Sequence, residues 1–352
     1  MGDLSATRDG ISGSYIGIPL RFPDGTLYGT FCCLSRDRKG LNDRDVHFMS
    51  MLAELVVDEL VAQRTLDERR KDIAGLLDGE RLLMALQPEV SLHTGACLGV
   101  EALARFPAPW GSPDSVFASA QQVGLGFDLE SLAMCHALEL LPELPRDQFL
   151  AVNLSPAVAL DLSLAATRPG DHILKRLVVE ITEHAVVAGY AELRERLAPY
   201  RHRGLRLAID DAGAGYASLH HVVELGPDII KIDRSLINGV AIDRGRRSVV
   251  SALVLLALDL GATVVAEGIE TADDFFAACD LGVDAAQGFL LAPPSTSRRA
   301  LARWATDTIT IPDRGRAAAV GLPRIGSWAE RAAAGHGWLD REPPPDRFSV
   351  NF

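Results

Sequence analysis

The sequence has little of what secreted, membrane-spanning or DNA-coating proteins need. Its 352 residues contain five cysteines, an odd number without zinc-type spacing, so we expect reduced thiols in a cytoplasmic protein. Lys and Arg total 35 against 47 Asp and Glu, which argues against a basic face for bulk nucleic acid or an anionic membrane. The longest apolar run, at 249–260, is shorter than the roughly 20 residues of a membrane span. The N-terminus has no secretory pattern.

The first 70 residues predict a small α+β segment. Two strands, at 15–22 and 26–34, flank a Pro-Asp-Gly turn whose glycine supplies positive φ. Asn42 offers an N-cap for a helix predicted over 43–70. Its apolar positions recur at spacings of three and four residues: Val46, Met49, Ala53, Val56 and Leu60. This stripe equally suits packing on the hairpin and pairing with a second copy, and the second alternative leads us to expect a homodimer.

From residue 82 the pattern changes to apolar, β-branched runs separated by helical stretches. The eight runs lie at 86–92, 98–106, 149–155, 177–182, 205–211, 229–234, 263–270 and 285–291. Such runs predict mainly parallel strands covered by helices and fit a (β/α)8 barrel of TIM type. A six-stranded doubly wound sheet is the alternative. We therefore expect a partial domain at 1–70, a linker at 71–81, a barrel at 82–298, and a poorly ordered or loosely docked tail at 299–352.

Polar side chains lie at or near the C-terminal ends of seven of these runs. They are Glu101, Asn153, Glu180, Asp210 with Asp211, Lys231 with Asp233, Glu267 with Glu270, and Gln287. The strand ends of a parallel barrel converge on one face, where active sites are built. Clustered carboxylates share protons or bind cations, and oxygen ligands without His or Cys favour Mg²⁺ or Mn²⁺.

Two features of this set point to phosphodiester cleavage. The adjacent carboxylates Asp210 and Asp211 suit the bridging of two divalent ions, a recurring device for that reaction. Lys231 lies among the carboxylates of the set, where its ammonium either orients the attacking water or serves only as a counter-charge.

Eight motifs in this order resemble the EAL-domain cyclic di-GMP phosphodiesterases. They are Gln87-Pro88, EALAR (101–105), NLS (153–155), EITE (180–183), DDAGAGYASL (210–219), KID (231–233), EGIE (267–270) and QGF (287–289). The resemblance covers residues 82–298. It implies a TIM-type barrel whose first strand is antiparallel, and metal-dependent hydrolysis of cyclic di-GMP to linear pGpG in bacterial signalling, with two Mg²⁺ or Mn²⁺ ions per active site.

The resemblance also implies a role for each site residue. The ligands of the first metal would be Glu101, Asn153, Glu180 and Asp210, and those of the second Asp210 and Asp211. Lys231 would contact the nucleophilic water, and Glu267 would be the general base or support the second metal. The substrate-binding residues would be Gln87, Arg105, Asp233 and Gln287. Glu183 would hold the loop after Asp211, and Glu270 would support the site.

The sequence departs from the family pattern at three positions. In the loop that usually reads DDFGTG, Ala212 replaces Phe and Ala214 replaces Thr, which removes an aromatic anchor of that loop. Glu89 follows Gln-Pro where an apolar residue is usual. Because all metal-type residues remain, we expect hydrolysis. The chain has no GGDEF-type cyclase motif, so synthesis of the dinucleotide is not expected.

The N-terminal segment resembles the C-terminal half of a GAF-type sensor domain over residues 17–34 and 41–60. A full GAF pocket would need further strands, so ligand sensing by this segment is not expected. Two alternatives to the hydrolase stay open for the barrel. One is a receptor that binds cyclic di-GMP without cleaving it and signals through the helix at 43–70. The other is an enzyme acting on another phosphodiester or a phosphorylated sugar.

Overall fold

The computed structural model describes residues 14–35, 41–78, 81–160, 170–182, 189–213, 217–306 and 308–312. Glu183, Ala214 and the part of the predicted tail beyond residue 312 lie outside these ranges. The contacts divide the chain into two compact units, one of residues 1–75 with 122–125 and the other of residues 76–121 with 126–352. Within the described ranges, no helix is long and apolar enough to cross a membrane.

The first unit contains a hairpin and a long helix. Strand β1 (Ser14–Arg21) pairs antiparallel with β2 (Leu27–Ser35), and helix α1 spans Asp43–Ala74. Asn42 caps the helix because its side chain accepts from the Arg44 N–H, while the Asp45 carboxylate accepts from the Asn42 N–H.

The apolar positions of α1 lie on two sides of the helix. Met49 and Ala53 of the predicted stripe are buried, and α1 packs against β1. Phe48, Met51 and Leu55 are more than half exposed. Burial of Met49 and Ala53 agrees with packing on the hairpin, whereas Val46 of the same stripe is 40% exposed. The homodimer stays a prediction.

The second unit is a closed barrel of eight strands, which confirms the predicted fold. In chain order the strands are β3 (Leu83–Ser91), β4 (Cys97–Arg105), β5 (Phe149–Asn153), β6 (Leu177–Thr182), β7 (Arg206–Ala212), β8 (Ile229–Ile232), β9 (Thr263–Ala266) and β10 (Ala285–Ala286). Strand β3 is antiparallel to both its neighbours, β4 and β10. All the other neighbouring strands are parallel. The antiparallel first strand implied by the resemblance is therefore confirmed.

Helices connect the parallel strands and cover the barrel. They are α2 (Pro113–Gln122), α3 (Gly126–Leu140), α4 (Pro156–Leu160), α5 (Asp171–Leu174), α6 (Tyr190–Arg201), α7 (Ala217–Leu225), α8 (Arg234–Ile237), α9 (Arg244–Leu260), α10 (Ala272–Leu281) and α11 (Arg298–Thr306), with a 3₁₀ turn at Leu141–Glu143. The start of the predicted tail packs on the barrel, because Leu301 of α11 is buried and the Ile309 N–H donates to the Gly95 carbonyl.

The barrel interior changes from apolar to polar along the strands. One apolar layer consists of Phe149, Ala151, Val178, Ala208, Ile229, Val265 and Ala285. Strand side chains alternate between the two faces of a sheet, so the residue two positions further on also points inward. Those next residues include Asn153, Glu180, Asp210, Lys231, Glu267 and Gln287. The period of two therefore places the predicted polar residues together at one end of the barrel.

Candidate active site

Lys231 on β8 is the centre of a buried carboxylate cluster. Its Nζ lies 2.7 Å from Glu267 Oε1, 2.9 Å from Glu180 Oε2, and 3.3 Å from both Glu101 Oε2 and Asp210 Oδ1. The Lys231 side chain is fully buried. Four residues that are far apart in the sequence thus meet around one ammonium group, as the convergence of strand ends predicts.

The environment of the cluster raises the pKa values of Lys231, Glu180 and Glu267. Burial alone would lower the pKa of Lys231, but the four carboxylates raise it well above 10.5, so the ammonium stays charged. Burial raises the pKa of Glu180 well above 4.5, and the neighbouring Glu101 and Asp210 add to this rise. Burial and Asp210 likewise raise the pKa of Glu267. One ammonium therefore does not balance the negative charge of the site.

The neighbours of Glu101 stabilise the ionised form of its carboxylate. Burial alone would raise its pKa, but Lys231 and hydrogen bonds from Gln287 and Asn153 lower it below 4.5. Asn153 Nδ2 donates to Glu101 Oε1 at 2.7 Å, and Gln287 Nε2 donates to Glu101 Oε2 at 2.7 Å. Both carboxylate oxygens are thus held by side chains from other strands or strand ends.

The sequence pattern predicts Glu101 at or near the C-terminal end of its strand, but the structure places it further back. It lies in the middle of β4, which pairs with β3 as far as Arg105 but with β5 only as far as Ala102. The antiparallel partner extends β4 beyond the parallel part of the barrel. Glu101 therefore still lies level with the carboxyl ends of the parallel strands.

The oxygen atoms of the cluster fit divalent cations. Glu101, Glu180 and Asp210 each offer an oxygen within 4.8 Å of the others, and so do Asp210, Asp211 and Glu267. Asp210 belongs to both groups. Among the described residues, the buried Glu180 Oε1 has no hydrogen-bond partner, so one acceptor is left for a further cation. An all-oxygen set with excess negative charge suits Mg²⁺ or Mn²⁺.

The remaining predicted residues lie around this cluster or outside the described ranges. Arg105 is half-buried at the end of β4, where its Nη1 donates to the Ala104 carbonyl. Asp233 follows β8 and caps α8 by accepting from the Ser235 N–H. Glu270 is exposed after β9. Glu183 is not among the described residues.

Gln87 and Gln287, predicted to bind substrate, are both buried. Gln287 Nε2 donates to Gln87 Oε1 at 2.8 Å, and Gln87 Nε2 donates to the Ala292 carbonyl at 3.0 Å. Their amide groups are thus hydrogen-bonded to each other, and that of Gln87 also to the backbone. Their role as substrate contacts stays a prediction.

The segment after Asp210 has an unusual backbone. Asp211 has φ 56°, a left-handed value that Asp adopts more readily than most residues, and Gly213 has φ 98°. Ala212, between them, is fully buried. A side chain at Gly213 would meet Leu236 of α8, so this glycine allows the close approach of the two elements. The effect of Ala214 lies outside the described residues.

One interior residue was not included in the predicted site. Glu89 is 1% exposed, and its Oε2 has no hydrogen-bond partner in the described part of the chain. It lies on β3 two residues after Gln87, opposite Gly99, and therefore one layer further from the cluster. On β7, the Arg206 guanidinium stacks 4.7 Å from the centre of the Phe149 ring. The period-two spacing from Gln87 could have placed Glu89 inside the barrel.

Two known families match the sequence. The EAL domain matches residues 70–294, and the GAF domain matches residues 3–60. The first match covers more than half of the chain and contains every residue of the cluster. The second covers the hairpin and the start of α1.

Characterised relatives and solved structures match the barrel. Cyclic di-GMP phosphodiesterase PA2567 of Pseudomonas aeruginosa is 32% identical over 222 residues, which are 60% of this chain and 38% of that protein. A manganese and cyclic di-GMP complex of Klebsiella pneumoniae BlrP1 is 32% identical, with a TM-score of 0.55 over 62% of this chain and 57% of the other. A cyclic di-GMP complex of the PaMucR phosphodiesterase is 28% identical, with a TM-score of 0.57 over 66% of this chain and 99% of the other. The chain thus spans about two fifths of the length of PA2567.

Proposed function

Because this chain belongs to the EAL domain family, we propose that it hydrolyses cyclic di-GMP to linear pGpG with the help of two divalent cations. Its relative PA2567 is named a cyclic di-GMP phosphodiesterase. The similar BlrP1 structure holds manganese and cyclic di-GMP together. Membership of the family and these two likenesses support both the substrate and the use of a metal.

The observation that carries the proposal is the complete carboxylate cluster around Lys231. The cluster contains two sets of three carboxylates that share Asp210, and within each set the oxygens lie within 4.8 Å of one another. A receptor that only binds the dinucleotide has no need for such sets. Glu101, Asn153, Glu180 and Asp210 would hold one cation, and Asp210 with Asp211 the other. When bound, such ions offset the charge of the phosphate and stabilise the oxygens that attack and leave.

The reaction adds one water molecule across one of the two phosphodiester bonds. A new P–O bond forms, the P–O3′ bond breaks, and the 3′ oxygen takes up a proton. Lys231 has N–H donors within the cluster and orients the water by hydrogen bonding. Glu267 is 2.7 Å from Lys231 and has a raised pKa, so its carboxylate is suited to accept the proton of that water.

Residues at the edge of the cluster would contact the dinucleotide. The planar guanidinium of Arg105 suits a phosphate of the substrate, and Asp233 lies half-buried at the end of β8. The net charge of −12 would repel a doubly anionic substrate, so cations in the cluster also offset this repulsion.

The proposal is tested by incubating the purified protein with cyclic di-GMP and Mn²⁺ or Mg²⁺, and separating the products by ion-exchange chromatography. We expect pGpG, its absence with EDTA, and loss of turnover in Glu101→Gln. Undiminished turnover by Glu101→Gln would contradict the proposal. Calorimetric binding of cyclic di-GMP without product would instead identify a receptor, and preferred cleavage of another nucleotide would identify a different substrate.

A further inference from the structure

A chain of side-chain amides runs from the backbone to Glu101. The Ala292 carbonyl accepts from Gln87 Nε2 at 3.0 Å, Gln87 Oε1 accepts from Gln287 Nε2 at 2.8 Å, and Gln287 Nε2 also donates to Glu101 Oε2 at 2.7 Å. Gln87 and Gln287 are both 6% exposed. The two glutamines are 200 residues apart and meet because β10 closes the barrel against β3.

The backbone end of this chain is held in place. Leu86 and Ser295 exchange two backbone hydrogen bonds, each of 2.9 Å, which fix the segment containing Ala292 beside β3. The Ala292 N–H in turn donates to the Gly288 carbonyl at 3.0 Å. The Ala292 carbonyl is therefore a fixed acceptor next to Gln87.

This fixed acceptor determines the direction of both amides. A carbonyl accepts only from a donor, so the NH₂ group of Gln87 faces Ala292 and its oxygen faces Gln287. Gln287 then presents its NH₂ group, whose two N–H bonds serve Gln87 and Glu101. The opposite orientation of Gln287 would place an amide oxygen against the Glu101 carboxylate, where the two acceptors would repel each other.

The amide oxygen of Gln287 shows that this orientation is imposed. Gln287 Oε1 is buried and has no hydrogen-bond partner among the described residues. A buried acceptor without a donor costs free energy. The amide keeps this unfavourable position because its nitrogen is held by Gln87 and Glu101.

We propose that Gln87 and Gln287 are positioning residues, which fix the Glu101 carboxylate for cation binding. The inference rests on the proposed role of Glu101 as a metal ligand. Hydrogen bonds to a ligating carboxylate orient it, and losing them typically weakens metal binding about 10-fold to 100-fold. Gln287 acts on Glu101 directly, and Gln87 acts through Gln287.

The test measures Mn²⁺ binding to the metal-free full chain by calorimetry, in the absence of nucleotide. Methionine has a similar length and no amide, so Gln287→Met should weaken Mn²⁺ binding about 10-fold. Gln87→Met should weaken it less. Because Gln87 acts through Gln287, adding Gln87→Met to Gln287→Met should produce no further loss.

Gln148→Met is the matched control. Gln148 is equally buried and donates to the Cys97 and Trp304 carbonyls, but it precedes β5 at the opposite end of the barrel. Its replacement should leave Mn²⁺ affinity unchanged. If Gln287→Met does not fold, Gln287→Asn, whose shorter side chain cannot reach Glu101, should show the same 10-fold loss.

Unchanged Mn²⁺ affinity in the Gln287 variants would overturn the inference, as would independent, additive losses in the double variant. If instead both glutamines contact substrate, their variants would raise the KM for cyclic di-GMP and leave Mn²⁺ affinity unchanged. Since Mn²⁺ binding is measured without nucleotide, failure to hydrolyse cyclic di-GMP would count against the proposed function and not against this positioning role.

Discussion

Replacing the buried Glu89 with glutamine should stabilise the metal-free protein at neutral and alkaline pH. Burial raises the pKa of Glu89 from 4.5 to about 7; Lys231 and Arg206 oppose this rise, and Glu101 and Asp210 add to it. Between pH 4.5 and about pH 7, the folded state therefore binds more protons than the unfolded state. The carboxyl group is therefore most favourable for folding below pH 4.5, and its contribution is lost as the pH rises through about 7.

The size of this effect follows from the two pKa values. Their difference corresponds to about 3 kcal/mol of unfolding free energy at high pH. Between pH 5 and pH 8, the unfolding free energy of Glu89→Gln relative to that of the unmodified protein should rise by about 2–3 kcal/mol. Urea unfolding followed by circular dichroism in EDTA, at four pH values from 5 to 8, measures this difference.

Glu195→Gln provides the control for Glu89→Gln. Glu195 lies exposed on α6, so the same chemical change should leave the pH dependence of stability unaltered. Parallel stability curves for Glu89→Gln and the unmodified protein would refute the reasoning, because they would show that folding does not bring Glu89 into the dry barrel interior.

Two further perturbations probe the cluster and the segment that follows β10. Mn²⁺ at about 100 times its dissociation constant should stabilise the protein by about 2.7 kcal/mol. Asp210→Asn alters both groups of potential ligands, so it should remove most of the Mn²⁺-dependent rise in Tm. A full rise in Tm of that variant would count against the metal site. Gly288→Ala should lower the free energy of unfolding, measured by thermal unfolding, by about 1–3 kcal/mol, because a Cβ there overlaps the Ile269 backbone. Gly29→Ala is the control: the space around Gly29 is open, so the change should be less than about 0.5 kcal/mol. Equal effects of the two substitutions would contradict the tight packing at Gly288.

The sequence predicted the barrel and the convergence of its polar residues for a simple geometric reason. Each parallel strand is short, buried on both faces and separated from the next by a helix, so apolar runs mark the strands. A polar residue near the end of such a run can only lie where the strand ends converge. Asp210 and Lys231 could therefore be placed together although no local signal connects them.

The contacts between side chains could not be predicted in the same way. The pairing of Gln87 with Gln287 depends on closure of the barrel between its first and last strands, and the direction of both amides depends on the Ala292 carbonyl. In α1, the spacing of apolar residues marked a buried face but not the surface that covers it.

The most direct test of the account compares the conversion of cyclic di-GMP to pGpG by the unmodified protein and by Asp210→Asn, with Mn²⁺ present and folding verified by circular dichroism. The account predicts steady formation of pGpG by the unmodified protein and a rate at least about 100-fold lower in the variant. Equal rates, or no pGpG from an unmodified protein with bound Mn²⁺, would contradict the claim that the carboxylate cluster around Lys231 carries out the hydrolysis.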